Sequence, residues 1–144
     1  MIALEPLNIL LVEDDPADQK LVRTSLKSQK VANDLNVVSS GEQGIDYLYG
    51  GNGASRPDLI LLDLNMPGMG GKEFLRWIKN DENLKQIPVV ILTTSNSERD
   101  IIESYKLQAS GYVNKPVTLE GFKQAMERLE EYWFVLCKRP PREC

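Results

Sequence analysis

The feature that most constrains the fold is a regular alternation of short apolar runs with segments of helical spacing. The apolar runs occupy residues 8–12, 35–38, 58–62, 88–92 and 111–113. Each has the length of one β-strand. The first, third and fourth are apolar almost throughout, which is typical of strands that helices cover on both faces of a parallel sheet.

Helix signals lie between these runs. Asp15 precedes Pro16, as in an N-cap followed by proline at the first helical position. Ser40 and Gln43 have the spacing of a capping box. Strand and helix signals therefore alternate five times along the chain, and right-handed crossovers then predict a doubly wound, open parallel α/β sheet.

The length of 144 residues is typical of one compact domain. Apolar residues three and four apart from Leu119 to Leu136 predict a long amphipathic last helix. We expect the domain to span residues 7–137, followed by a short tail at 138–144. The aromatic stretch around Tyr132 and Trp133 exceeds what a small sheet needs for its cover, so it is a candidate homodimer or partner surface, with packing inside the domain as the alternative.

Composition excludes several classes of function. A net charge of −4 argues against nucleic-acid binding, which needs a basic surface. No apolar run approaches the roughly 20 residues of a membrane span, and the start has no charged leader, so we expect a cytoplasmic protein. The absence of histidine excludes imidazole metal sites and any phosphohistidine on this chain. Cys137 and Cys144 are expected to be free thiols.

Ligands of open α/β sheets bind outside the carboxyl ends of the strands. The polar residues that follow the apolar runs are Glu13, Asp14, Asp15, Asp63, Thr93, Thr94 and Lys115. Each alone has an ordinary interpretation: Asp15 is favoured as a helix cap over a ligand, and Asp63 could initiate a turn before Pro67. Because all of these residues are expected at one edge of the sheet, the separate ordinary interpretations are jointly improbable. The carboxylate oxygens at that edge suit Mg²⁺.

The motifs at these positions are Leu-Leu-Val-Glu-Asp-Asp at 10–15, Leu-Asp-Leu-Asn-Met-Pro at 62–67, Ile-Leu-Thr-Thr-Ser at 91–95 and Tyr-Val-Asn-Lys-Pro-Val at 112–117. With them, residues 7–137 resemble the receiver domain of two-component response regulators. The resemblance implies a flavodoxin-like five-stranded sheet of order 2-1-3-4-5. It also implies site roles: phosphoacceptor Asp63, metal site Glu13, Asp14, Asp63 and the Asn65 carbonyl, phosphoryl contacts Lys115 and Thr93, and switch residues Thr93 and Tyr112.

Residues 84–95, Ser104 with Tyr105, and the aromatic last helix are similar to single-domain regulators that serve cyanobacterial and bacterial phytochromes. This resemblance implies a stand-alone receiver that is not an enzyme. Its phosphoryl donor would be a sensor histidine kinase, with a phytochrome as the candidate, and its downstream target would be another protein, not a nucleic acid or a membrane.

Other functions remain as alternatives. A phosphorylation-independent pseudo-receiver or dimerising module is disfavoured because every active-site position is filled. A phosphatase forming an aspartyl-phosphate would need a second acid or base where this chain has Asn65. A carrier of FMN would need a glycine-rich or hydroxyl-rich loop in place of Glu13, Asp14 and Asp15.

Overall fold

The computed structural model describes residues 7–27, 33–50, 56–64, 66, 68, 70–93, 111–114, 118, 120, 121 and 124. The elements in chain order are β1 Leu7–Val12, α1 Pro16–Lys27, β2 Asn33–Val38, α2 Gly41–Leu48, β3 Leu59–Asp63, α3 Gly71–Lys79, β4 Val89–Thr93 and β5 Gly111–Asn114. The predicted surface around Tyr132 and Trp133 and both cysteines lie outside the described residues.

The five strands form one parallel sheet in the order β2-β1-β3-β4-β5, which confirms the predicted topology. In its register Val12 pairs with Leu62, and Leu92 pairs with Asp63 on one side and with Val113 on the other. The central strands consequently end at the same level, so the residues at their carboxyl ends meet along one edge of the sheet.

Two apolar cores lie on opposite faces of this sheet. On β1, Ile9 and Leu11 belong to the core that Val22 and Leu26 of α1 help to build. The other core takes the alternate residues of β1 and packs them against α3 through side chains that are fully buried: Phe74, Leu75 and Ile78. Each fully buried side chain of this kind contributes about 1.5–3 kcal/mol. Helices on both faces explain why the central strands are apolar at nearly every position.

Both predicted helix starts are present. The carboxylate of Asp15 accepts a hydrogen bond from the N–H of Ala17 at 2.9 Å, which confirms Asp15 as the cap of α1. The hydroxyl of Ser40 accepts from the N–H of Gln43 at 3.1 Å. The side-chain oxygen of Gln43 accepts from the N–H of Ser39 at 2.8 Å. In a standard capping box the bond would come from the next residue, the N-cap itself.

The strands differ from the apolar runs at their ends. Asp63 and Thr93 are the last residues of β3 and β4, not the first residues after them, because the ladder continues to pair them with Leu92 and Asn114. Asp58 lies before β3, and its buried carboxylate accepts a hydrogen bond from the N–H of Asn8 at 2.8 Å. The ends of two strands are therefore themselves candidate site residues.

Polar contacts hold the amino-terminal edge of the sheet. Asn36 of β2 donates through its side-chain amide to the Asn8 side chain at 3.1 Å. Burial raises the pKa of Tyr47 on α2, against the opposite effect of its hydrogen bonds with Asn8 and Asn36. These contacts tie β1, β2 and α2 together at the edge that lies away from the polar ends of β3 and β4.

The turn between α3 and β4 is fixed by two charged residues. The ammonium of Lys79 donates to the carbonyls of Lys85 and Ile87 at 2.9 and 3.1 Å, and its burial lowers the pKa of Lys79. Asp81 accepts from the Tyr49 hydroxyl and from backbone N–H groups, which lowers the pKa of Asp81 and raises that of Tyr49. None of the helices in the described part of the chain has the length and apolar character of a membrane span.

Candidate metal centre at the carboxyl edge of the sheet

Three carboxylates converge at the carboxyl edge of the central strands. One carboxylate oxygen from each of Glu13, Asp14 and Asp63 lies within 4.8 Å of the other two. Glu13 follows β1 directly and Asp63 ends β3, and the pairing of Val12 with Leu62 brings the two acids level. The parallel register therefore assembles this cluster from residues 50 positions apart.

The chemistry of the cluster fits a hard divalent cation. The side chains of Glu13 and Asp63 are 0% and 3% exposed, whereas Asp14 is open to solvent. Ionised carboxylates so close together repel each other, and a cation among them offsets this repulsion. Mg²⁺ takes one or two carboxylates and keeps several waters, and the open side at Asp14 leaves room for water or phosphate oxygens. The residues present therefore fit Mg²⁺.

The backbone and side chain of Glu13 are held from three directions. Its N–H donates to the carbonyl of Val38 in β2 at 3.1 Å. Its own carbonyl accepts from the side-chain amide of Gln19 in α1 at 2.6 Å. Its carboxylate accepts from the N–H of Asp15 at 3.2 Å. These bonds position one carboxylate of the cluster relative to β2 and α1.

Asp63 is positioned by the close approach of α3. The N–H of Gly71, the first residue of α3, donates to the carbonyl of Leu64 at 3.1 Å. A Cβ at Gly71 would overlap the main-chain oxygen of Asp63 and lie 2.5 Å from the Leu64 Cα. Only glycine fits between α3 and the end of β3. The sequence interpretation missed this residue, although a Gly-Gly pair directly before a helical pattern is a signal for it.

The structure brings part of the predicted site together. Glu13, Asp14 and Asp63 form the cluster, while Asp15 caps α1. Thr93 ends β4, and Tyr112 lies in β5 opposite Ile91, so both backbones are near this edge. The side chains of Thr93 and Tyr112 are not described, and Asn65 and Lys115 fall outside the described residues. The roles of these four residues therefore stay predictions.

A sheet of this order with an acidic cluster at its carboxyl edge is the architecture that the receiver resemblance implies. The family model for the response regulator receiver domain matches residues 9–127. The chain therefore belongs to the response regulator receiver domain family, whose members accept phosphoryl groups in two-component signalling. This membership confirms the predicted flavodoxin-like fold and the predicted receiver function.

Among individual proteins, the chain is 40% identical over 131 residues to the response regulator Rcp1 of Synechocystis, with 89% of each chain covered. The solved structure of Mn²⁺-bound Rcp1 has a TM-score of 0.78 and covers 94% of this chain and 99% of that one. The acidic cluster and the metal-bound relative agree with the predicted dependence on Mg²⁺.

Two further solved structures belong to regulators of the phytochrome subgroup. The phosphorylated cyanobacterial phytochrome response regulator RcpA is 40% identical with a TM-score of 0.78, over 94% of this chain and 99% of that one. The bacteriophytochrome response regulator RtBRR is 39% identical with a TM-score of 0.80, over 95% and 86%. These likenesses confirm the resemblance to phytochrome-associated regulators.

Proposed function

We propose that Asp63 is the phosphoacceptor and that it receives its phosphoryl group from the phosphohistidine of a sensor histidine kinase. The observation that carries this proposal is the position of Asp63. Its carboxylate ends a central strand, is 3% exposed, and shares a cluster with Glu13 and Asp14. A carboxylate can act as a nucleophile on phosphorus, and the edge at which Asp63 lies is partly open to solvent.

In the proposed transfer, an Asp63 oxygen forms a bond to phosphorus as the phosphorus–nitrogen bond of the kinase histidine breaks. The electron pair of that bond returns to the imidazole, and an aspartyl phosphate remains on this chain. Glu13, Asp14 and Asp63 would hold Mg²⁺ together with the predicted Asn65 carbonyl. Bound Mg²⁺ supplies positive charge that neutralises the phosphoryl oxygens.

The remaining predicted residues have proposed roles around the new phosphoryl group. Its charge of about −1.5 to −2, if the phosphoserine value applies, calls for nearby donors, which the Lys115 ammonium and the Thr93 hydroxyl would supply. The place of Thr93 at the end of β4, beside β3, supports its assignment. Movement of Thr93 would leave space for Tyr112, so phosphorylation would shift the population between two packed states.

The signalling context is part of the same proposal. The phytochrome regulators named above support a phytochrome as the donor kinase, in the cytoplasm. The receiver would occupy residues 7–137 with a tail at 138–144, and would lose its phosphoryl group by hydrolysis without acting on a separate substrate. The output would be contact with a downstream protein or a second copy of the chain through Tyr132 and Trp133.

The test is phosphorylation by acetyl phosphate and Mg²⁺. We expect wild-type protein to gain the mass of one phosphoryl group and Asp63→Asn to gain none, because the amide lacks the nucleophilic carboxylate. Intact-mass spectrometry measures the difference. Asp15→Asn is the matched control, since asparagine caps a helix as well as aspartate does and this variant should be labelled like wild type. Equal labelling of wild type and Asp63→Asn would contradict the proposal.

A further inference from the structure

Gln19 of α1 contacts the acidic cluster without belonging to it. Its side-chain amide donates to the main-chain carbonyl of Glu13 at 2.6 Å. Gln19 is six residues along the chain from Glu13 and lies in the first turns of the following helix. Only the amide nitrogen of a glutamine side chain can donate to a carbonyl, so the bond fixes which way this side chain is turned.

We propose that Gln19 is a positioning residue for the metal-binding carboxylate of Glu13, an inference that rests on the proposed function of the cluster. The backbone of Glu13 is held on both sides. Its N–H donates to the carbonyl of Val38 at 3.1 Å, and its carbonyl accepts from the side-chain amide of Gln19. With both backbone groups fixed and its side chain fully buried, the Glu13 carboxylate has little freedom of direction.

The helix from which Gln19 reaches is itself anchored at the same loop. The N–H of Gln19 donates to the carbonyl of Asp15 at 3.0 Å, and the Asp15 carboxylate caps the start of α1. The Gln19 side chain therefore starts from a fixed place. Groups that orient a metal ligand in this way raise metal affinity, because the ligand loses less freedom when the ion binds.

A purely structural tie is the alternative, and α2 provides a matched control for it. The side-chain oxygen of Gln43 accepts from the N–H of Ser39 at 2.8 Å, also near the start of a helix that follows a strand. This second glutamine also bonds the backbone of the preceding loop, as an acceptor where Gln19 is a donor, and its partner Ser39 is not a member of the acidic cluster. Loss of either bond should cost similar stability.

The experiment compares Gln19→Met with Gln43→Met, because methionine keeps the length of the side chain and lacks the amide, which is the donor in Gln19 and the acceptor in Gln43. Mg²⁺ alone is titrated calorimetrically into each full-length protein, and thermal unfolding is followed without metal. We expect Gln19→Met to bind Mg²⁺ about 3- to 10-fold more weakly than wild type, as for the loss of one hydrogen bond. Gln43→Met should stay within about twofold, with a similar loss of thermal stability.

A second readout separates positioning from damage to the site. The rate of phosphorylation by acetyl phosphate should fall in Gln19→Met at low Mg²⁺ and recover at saturating Mg²⁺. Gln19→Ala, which adds no bulk, should behave alike and serves if the methionine variant does not fold. Unchanged Mg²⁺ affinity in Gln19→Met, or an equal loss in Gln43→Met, would overturn the inference alone. Absence of Mg²⁺ binding by wild type would overturn the proposed function as well.

Discussion

Three consecutive acidic residues show how single positions acquire different tasks. Glu13 is fully buried and belongs to the cluster, Asp14 belongs to the cluster from its open side, and Asp15 caps α1. The cap was predictable because Asp15 precedes Pro16, a signal that is local in the sequence. The different burial of Glu13 and Asp14 was not predictable, because it depends on which side chain turns towards the interior after β1 ends.

At the residue scale, we predict that Asp14→Asn weakens Mg²⁺ binding about 10-fold or more, because a charged ligand becomes neutral. Asp15→Asn should change the affinity by about twofold at most, since its exposed charge is screened by salt and asparagine preserves the cap. Calorimetric titration of Mg²⁺ measures both affinities.

A third variant checks the role of the cap. Asp15→Ala should lose about 1 kcal/mol of unfolding free energy in urea and keep its Mg²⁺ affinity. If Asp15→Asn lost as much Mg²⁺ affinity as Asp14→Asn, Asp15 would be a ligand and the assignment of the three acids would be wrong.

At the scale of elements, the site depends on how closely α3 approaches the end of β3. Two glycines permit close contacts between neighbouring elements in this part of the fold. Gly71 lies against the main chain of Asp63 and Leu64, whereas Gly44 in α2 lies against the ring of Phe74. Neither has a positive φ, so alanine is compatible with both backbones, and the added methyl group is the whole perturbation.

We predict that Gly71→Ala displaces the main chain at Asp63 and slows phosphorylation by acetyl phosphate about 10-fold or more, as small shifts of reacting groups do. Gly44→Ala should cost about 1–3 kcal/mol of unfolding free energy through overpacking and leave the phosphorylation rate unchanged. Rates are compared at a temperature at which thermal melting shows both variants folded.

One result of this comparison would contradict the prediction. A Gly71→Ala protein that is phosphorylated as fast as Gly44→Ala would mean that the approach of α3 matters for stability and not for the position of Asp63. The Phe74 ring beside Gly44 can shift to admit a methyl group that would lie 2.8 Å from it. The backbone beside Gly71 has no such freedom, which is why the two variants should differ.

At the scale of the whole molecule, a receiver needs a surface that reports its state. The two cores bury Val22 and Leu26 of α1 and Phe74 and Ile78 of α3. The aromatic residues predicted as a partner surface, Tyr132 and Trp133, lie outside the described residues, so their role in a homodimer stays a prediction.

We predict that phosphorylation with acetyl phosphate and Mg²⁺ increases the fraction of dimer, because the switch would alter the contact surface. Multi-angle light scattering at high micromolar concentration measures the mass with and without phosphorylation. Asp63→Asn should show no change, and Trp133→Ser should remain monomeric under both conditions. A wild-type protein that is monomeric throughout would remove the dimer from the proposed output.

The sequence by itself determined the class of fold and the type of metal that the acidic residues suit. These follow from local properties: the period of apolar residues, the caps of helices, and the oxygen chemistry of Glu13, Asp14 and Asp63. The receiver motifs then added roles for Lys115 and Thr93 that stay predictions here.

Only the tertiary structure decided how the site is supported. The bond from Gln19 to the Glu13 carbonyl exists because α1, capped by Asp15, holds this side chain beside the loop that follows β1. The need for glycine at position 71 exists because α3 begins against the end of β3. The Gly-Gly pair at 70–71 is a signal of close packing, but neither contact follows from residue type or spacing alone. Each depends on the distance between two elements, which is set by the packing of the whole sheet and its helices.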